Sequence, residues 1–524
     1  MSILIVSARA FSCRELLFGI GVLLAVAGAL VSFASSAHAA SARGTCPGGT
    51  VFVDRDASGS NNGSSWPDAF VDLQDALSVD APCEIWIAEG VYVPSTDPND
   101  RTATFQLQNG IALYGGFDGT ETRKQSRDWK SNATVLSGDI GGDDPSDANG
   151  ILAVPSGIVG GNSIHVVTGS STDATARLDG VIVTAGDADG SLGSPTNCTD
   201  ACGGGMFAVT GAPTLANISF IGNRASGDGG GMFLRTLSAP TLVNIEFGAN
   251  LAGRDGGGLA SFDSAPTLVN SVFNGNSANR RGGALWVNRG FADPEDGRPS
   301  LINATFSANR ASDIGGGIYN ASGSDPRLIN TIVWNNQDNS GVGTGSSSIV
   351  SVSSSPVIAF SLIQGQNPAG DGNLDGTDSN NAPGFRTNGD PANAPAVAGN
   401  LRLTPGSVAI DVGDPATDLA LFSGGPSEPV DFDGNPRVDP DGLIDIGAFE
   451  FKAGIFVDRF ESDQCDVGTA CDDGSLCTIN DSCQPDGSCQ GTPKCTADGQ
   501  LCRESSCDEE TGTCSETMLP DGTA

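Results

Sequence analysis

Five aspartates near the end of the chain, Asp431, Asp433, Asp439, Asp441 and Asp445, are spaced closely enough to share a metal ion. Calcium needs several oxygen ligands converging on one loop. Asp439, Asp441 and Asp445 with Gly442 match part of such a loop, but Arg437 and Ala448 stand where the pattern wants an aspartate and a bidentate glutamate. Asp-Gly pairs also form turns without any ion, so the segment reads first as turns and second as a calcium site; no other cofactor is expected. Histidine chemistry is nearly excluded. His38 lies in the leader, and His165 is embedded in the apolar run Ile164-His165-Val166-Val167, expected to be a strand. Neither has an identifiable nucleophile as partner. Asp228, Asp255 and Asp313 stand beside Arg224, Arg254, Arg280, Arg281 and Arg310, and these positions recur along the chain. A unique active site would break a repeat; a column of solvated turns would not. No catalytic residue is therefore expected.

The element that must position these groups is a motif written five times. It starts at Gly203-Gly204-Gly205-Met206, Gly229, Gly256, Gly282 and Gly315, which gives periods of 26, 27, 26 and 33 residues. A fixed period of this length marks a solenoid. Within a period the apolar residues come in short pieces separated by Gly, Asn, Asp and Ser, too short for helices and rich in strand formers. The sequence predicts an all-β protein whose residues 101–365 form a right-handed parallel β-helix, clearest over 203–336. Pro213, Pro240, Pro266, Pro299, Pro326 and Pro356 should start strands. Asn217, Asn244, Asn270, Asn303 and Asn330 should form one amide column at tight corners, and Asn223, Asn250, Asn276, Asn309 and Asn336 a second. Phe220, Phe247, Phe273 and Phe306 should stack inward, with Val333 in the fifth place, each ring contributing roughly 1.5–3 kcal/mol by burial.

The repeat pair Gly-Gly-Ala/Gly-(Ile/Leu/Met) and Phe-x-x-Asn resembles the repeats of chlamydial polymorphic outer-membrane proteins. The wider layout is similar to secreted bacterial β-helix proteins with a choice-of-anchor C-terminal region. Its carriers are Gly63-Ser64-Ser65-Trp66, Ala88-Glu89-Gly90-Val91-Tyr92, Tyr114-Gly115-Gly116-Phe117, Leu136-Ser137-Gly138-Asp139, Leu178-Asp179-Gly180 and Asp445-Ile446-Gly447-Ala448-Phe449-Glu450, covering about 51–451. The resemblance implies a surface-exposed or secreted structural or adhesive protein that presents loops to an unknown surface ligand, a carbohydrate or a protein of another cell, with possible association with the outer membrane. Many parallel β-helices act instead as polysaccharide lyases or hydrolases, an alternative that rests on fold analogy.

The flanks fit export. Residues 1–39 read as a signal peptide: Arg9 and Arg14, an apolar run from Leu16 to Phe33, then Ala37-His38-Ala39. A formal net charge of −36 should repel nucleic acid. Residues 40–100 should cap the solenoid with a short helix, N-capped at Ser65 and apolar at Phe70, Leu73, Ala76 and Leu77. Cys46 with Cys83, and Cys198 with Cys202, are plausible disulfides in an oxidising compartment. Residues 366–461 read as a terminal coil and loop module, with 366–400 as loop. Residues 462–524 carry nine cysteines and almost no apolar content, so disulfides must hold them and zinc is disfavoured. Nine is odd, and the chain stops where a tenth cysteine is expected, as if cut mid-repeat. Each native bridge should contribute on the order of 2–4 kcal/mol. Reduction should therefore unfold the tail while the β-helix persists, and non-reducing peptide mapping should find at least one tail cysteine with no partner inside the tail. A tail fully reduced on stoichiometric zinc would contradict this.

Overall fold

The computed structural model describes Cys46, residues 48–192, 198–289, 298–422, 429–439 and 442–452, and four strands beyond 462. The expected leader 1–39, Asp441 and the side chains of the tail lie outside the described residues. The rest is a parallel β-solenoid. Its largest sheet has 14 strands, ten of which stack in one continuous path: Thr50–Val53, Cys83–Ala88, Ile111–Phe117, Arg177–Thr184, Thr214–Ile221, Thr241–Gly248, Thr267–Asn274, Ser300–Ser307, Arg327–Ile329 and Val357–Ala359. A second sheet runs from Phe105–Gln106 to Ile349–Val352, and a third, of two-residue strands, from Asp187–Ala188 through Gln337–Asp338 to an antiparallel edge strand, Gly341–Val342.

Each repeated residue has a place in this stack. The proline column immediately precedes the strands beginning at Thr214, Thr241, Thr267, Ser300, Arg327 and Val357, where a missing N–H is tolerated. The second glycine column is closed to side chains: a Cβ on Gly257 would lie 2.3 Å from the Gly283 carbonyl of the next coil. The first glycine of the same motif, Gly229, has φ +69°, which glycine adopts without steric cost. The phenyl rings stack as expected, with centroids 5.3, 4.7 and 4.4 Å apart from Phe220 through Phe247 and Phe273 to Phe306. Val333 follows Phe306 in register.

The two asparagine columns do different work. The interior one is fully buried at Asn223, Asn250, Asn276, Asn309 and Asn336. Asn276 Nδ2 donates to Asn309 Oδ1 at 2.9 Å and to the Phe247 carbonyl at 2.7 Å. Its Oδ1 accepts from Asn250 Nδ2 at 2.9 Å and from Asn250 N at 3.1 Å. All four amide valences are filled, which is what a polar group needs to sit in an apolar core. The other column lies at a corner within the large sheet. Asn217, Asn244, Asn270, Asn303 and Asn330 have φ between 50° and 55°, and strand pairing skips each of Asn217, Asn244, Asn270 and Asn303. Their amides run toward the first coils: Asn270 to Asn244, Asn244 to Asn217, and Asn217 to Asp179 at 2.8 Å.

The structure corrects three sequence readings. The helix near the start is a single turn, Leu73–Ala76, capped by Asp72 rather than Ser65. Phe70 is still extended because its N–H donates to Phe52 O at 2.9 Å and its carbonyl accepts from Asp54 N at 2.9 Å. The strand expected at Ile164–Val167 is Val167–Thr168, so His165 precedes it. Residues 366–400 are not only loop: Phe385–Asn388 pairs antiparallel with Gly399–Leu403. Cys46 is bonded to Cys83, and Cys198 to Cys202. In the tail, Thr478–Cys483 pairs with Cys489–Pro493 and Arg503–Asp508 with Thr513–Met518, which sets Cys483 opposite Cys489 and Cys507 opposite Cys514.

Replacing Asn276 with alanine strips partners from Phe247 O, Asn309 Oδ1, Asn250 N and Asn250 Nδ2 at once. At about 1–3 kcal/mol per orphaned buried group, not fully additive, the expected loss is roughly 3–5 kcal/mol in chemical denaturation. A loss below about 1 kcal/mol would contradict the reading of this column as the buried polar spine.

Candidate functional site

The outer face of the large sheet is divided in two. Over the later coils it is covered by the chain's own residues 366–452. Val243, Val269 and Ile302 form one outer column in register, and Phe422 packs on it. Val272 and Ile332 are buried with Phe385, Leu401, Leu403, Ile446, Ala448 and Phe449. The corner asparagines hold this module. Asn303 Nδ2 donates to the Asp445 and Gly447 carbonyls at 3.0 Å each, Asn270 Nδ2 to the Val430 carbonyl, and Asn330 Oδ1 accepts from Asp414 N at 2.7 Å. The amide column is interrupted between Asn270 and Asn303, where these backbone carbonyls are bound instead.

Most of the candidate calcium residues lie in this module, each engaged separately. Asp431 accepts from Asn435 N at 2.7 Å and Glu450 N at 2.9 Å. Asp433 is paired twice with Arg402, at 2.6 and 2.8 Å. Asp439 accepts from Leu443 N, and Asp445 from Asp411 N, at 2.8 Å each. The groups of three metal-ligating atoms found within 4.8 Å among the described residues draw none from this set. At the centre is Arg437, fully buried, whose Nη2 donates to the Asp445 and Gly447 carbonyls. Its Nε is 3.2 Å from Glu450 Oε1, an ion pair without an aligned hydrogen bond. One guanidinium faces Asp431, Asp445 and Glu450 here, so not all three carboxyls can ionise cheaply. Burial pushes Glu450 up to about 8, against the pull of Arg437, and Asp445 up to about 6.

The recurrent Asp and Arg side chains are brought together, as pairs along one corner. Arg224 binds Asp187 at 2.7 Å, Arg254 lies 3.6 Å from Asp228, Arg280 grips Asp255, and Arg281 lies 3.7 Å from Asp313. Asp228 is pushed up to about 6 by burial and then by the Asp255 charge. Its carboxylate and the sulfurs of Cys198 and Cys202 lie within 4.8 Å of one another, but the sulfurs are bonded to each other. His165 Nδ1 donates to the Gly203 carbonyl at 2.8 Å, and the ring stacks on Phe207; burial holds its pKa down.

Over the first coils the outer face carries aromatic rings instead. Phe52, Trp86 and Tyr114 continue in register the column that later holds Val243 and Ile302. Trp86 stacks on Phe117 at 4.8 Å, and Trp66 meets Phe52 edge-on at 4.7 Å. Cations surround Tyr114: Lys124 Nζ at 4.2 Å from the ring centre, Arg127 at 5.3 Å and Arg177 at 5.7 Å. Phe52, Trp66 and Trp129 are half-buried, and Arg123 and Lys130 are exposed. Arg127 and Arg177 both bind Asp179 at 2.6 Å, and Lys130 Nζ reaches the Asp433 carbonyl of the C-terminal module at 2.7 Å. Sequence reading missed this patch. The available signal was Arg123, Lys124, Arg127 and Lys130 falling within one short stretch of a chain with 26 Lys and Arg in 524 residues.

A family model described as the Chlamydia polymorphic membrane protein repeat matches residues 270–288. No curated protein matches the chain. Among solved structures, the pectate lyase Pel9A aligns at 13% identity and a TM-score of 0.33, covering 78% of this chain and 98% of its own. A rhamnogalacturonan lyase aligns at 12% identity and a TM-score of 0.24, covering 64% and 90%.

Because Glu450 has a raised pKa in the docked module, its contribution to docking is fully present below its ordinary value of 4.5 and is lost as pH rises through about 8. The thermal midpoint of the full chain should fall between pH 5 and pH 9, and Glu450→Gln should flatten that fall. An unchanged profile in the variant would contradict the assignment.

Proposed function

We propose that this chain is an exported, surface-displayed structural or adhesive scaffold that binds carbohydrate through the aromatic and cationic face of its first coils. The observation that carries the reading is the division of the outer face. Its later half is filled by the chain's own module, while its first half carries the half-buried rings of Phe52, Trp66 and Trp129, with Lys130 over Trp129 and with Lys130 and Arg123 exposed. Sugar rings offer apolar C–H faces to aromatic rings and hydroxyl or carboxylate oxygens to cations. The periodic Arg–Asp pairs along the corner favour a scaffold over an enzyme, since they neutralise one another coil after coil. Display at an outer membrane is supported by the polymorphic membrane protein repeat match at 270–288. Among the described residues no helix is long and apolar enough to cross a membrane. The reading includes right-handed winding, as connections between parallel strands overwhelmingly are. It also includes Leu73–Ala76 as part of the cap over the edge strand Thr50–Val53, and disulfides within the tail.

Full-length protein titrated with acidic and neutral polysaccharides should bind at least one class without releasing reducing ends or unsaturated products. The double variant R123A/W129A should bind at least tenfold more weakly, about 1.4 kcal/mol. Turnover that disappears when one carboxylate pair is changed would overturn the scaffold reading, and binding that ignores both substitutions would overturn the site.

A further inference from the structure

The cysteine-rich tail repeats itself. Asp473-Gly474-Ser475-Leu476-Cys477 returns as Asp498-Gly499-Gln500-Leu501-Cys502, and Ser482-Cys483 with Gly487-Ser488-Cys489 returns as Ser506-Cys507 with Gly512-Thr513-Cys514. The second half of each copy has the same form. Thr478–Cys483 and Cys489–Pro493 make one antiparallel hairpin, and Arg503–Asp508 and Thr513–Met518 make another. In both hairpins the last two cysteines of the copy are direct register partners, Cys483 with Cys489 and Cys507 with Cys514.

That register is what a cross-strand bridge needs. Directly opposite residues in an antiparallel pair have Cα atoms about 4.5 or 5.5 Å apart, according to whether they exchange hydrogen bonds. Disulfides span about 4.4–6.8 Å between Cα atoms, so either kind of opposite pair is within reach. The two bridges of the solenoid fall in the same range, at 5.2 Å for Cys46–Cys83 and 5.6 Å for Cys198–Cys202. A slip of one residue in either hairpin would put its two cysteines on opposite faces. Both hairpins keep the match although five residues separate Cys483 from Cys489 and six separate Cys507 from Cys514. A lone two-stranded hairpin is marginal in water. Between Thr478 and Met518 the only apolar residues besides proline, glycine and cysteine are Ile479, Ala497, Leu501 and Met518, too few to build a core that would hold the strands together.

We infer that Cys483 is bonded to Cys489 and Cys507 to Cys514, each bridge locking its own hairpin. The inference rests on the export reading above, which supplies an oxidising compartment and a disulfide-held tail. Each bridge joins two thiols in one S–S bond. The two electrons and two protons pass to the disulfide of a thiol-exchange protein of that compartment, which leaves as a dithiol. With four of the nine tail cysteines so committed, Cys465, Cys471, Cys477, Cys495 and Cys502 remain, and an odd set cannot close on itself. Both bridges are local, so neither hairpin depends on the other for its cross-link.

The test uses the full chain, exported and purified without reductant, digested under non-reducing conditions and read by mass spectrometry. Cleavage at Asp486 opens the first loop and cleavage at Glu510 the second. Each bridged hairpin should then appear as two peptides held together until a reductant is added, one pair carrying Cys483 and Cys489, the other Cys507 and Cys514. In the double variant C507S/C514S the Cys483–Cys489 pair should survive unchanged. Bonding of any of these four cysteines to another partner, or loss of the Cys483–Cys489 pair in that variant, would overturn the assignment while leaving the tail disulfide-held. A tail recovered with all nine cysteines as free thiols would overturn the disulfide-held reading of the tail as well.

Discussion

A solenoid coil cannot bury its own backbone ends, so every coil depends on the polar groups of the next. In this chain that dependence is concentrated in the interior asparagine column. Each amide there reaches a neighbouring coil, and from Asn250 onward it satisfies the carbonyl of a stacked phenylalanine: Asn250 takes Phe220, Asn276 takes Phe247, Asn309 takes Phe273 and Asn336 takes Phe306. The apolar stack and the amide stack are thus one structure. The rings exclude water, which makes an unpaired amide expensive, and the amides close the carbonyls that the rings leave dry. A repeat that keeps Phe-x-x-Asn keeps both.

The exterior asparagines serve a second purpose. Their positive φ turns the strand at a corner, and the same geometry lifts the side-chain amide to the surface of the sheet. Where nothing else arrives, the amides bond to one another. Where the C-terminal module arrives, Asn270, Asn303 and Asn330 hold its backbone. Docking costs little reorganisation because the amides are already fixed by the backbone. It places a buried Arg437 against Glu450 beside the seam, so the module's attachment is coupled to proton binding.

Much of this was legible from sequence. The period and the proline, phenylalanine and asparagine columns follow from residue types recurring at fixed intervals, because stacking makes equivalent residues neighbours; the two disulfides follow from cysteines that flank the short helix and close a loop. The docking of 366–452 was not legible. Its contacts join residues far apart in sequence, such as Lys130 with Asp433 and Asn303 with Asp445, and no period announces them. The helix start was misread because Phe70 prefers its backbone pairing with the Thr50–Val53 edge over the helical state that its apolar spacing suggested. The aromatic patch was overlooked because Phe52, Trp86 and Tyr114 stand at irregular intervals, before the regular repeats begin. Of the aspartates read as calcium candidates, Asp431, Asp433, Asp439 and Asp445 each have their own partners in the C-terminal module.

Native-state hydrogen exchange on the full chain tests the central claim most directly. If the interior column is the element on which the coils depend, the backbone amides of Asn223, Asn250, Asn276 and Asn309, each donated to the Oδ1 of the next asparagine, should be among the slowest in the protein and should exchange together, in a single opening. Exchange at these four sites that is as fast as at the corner residues Asn217 and Asn244, or that proceeds coil by coil with unrelated rates, would contradict it.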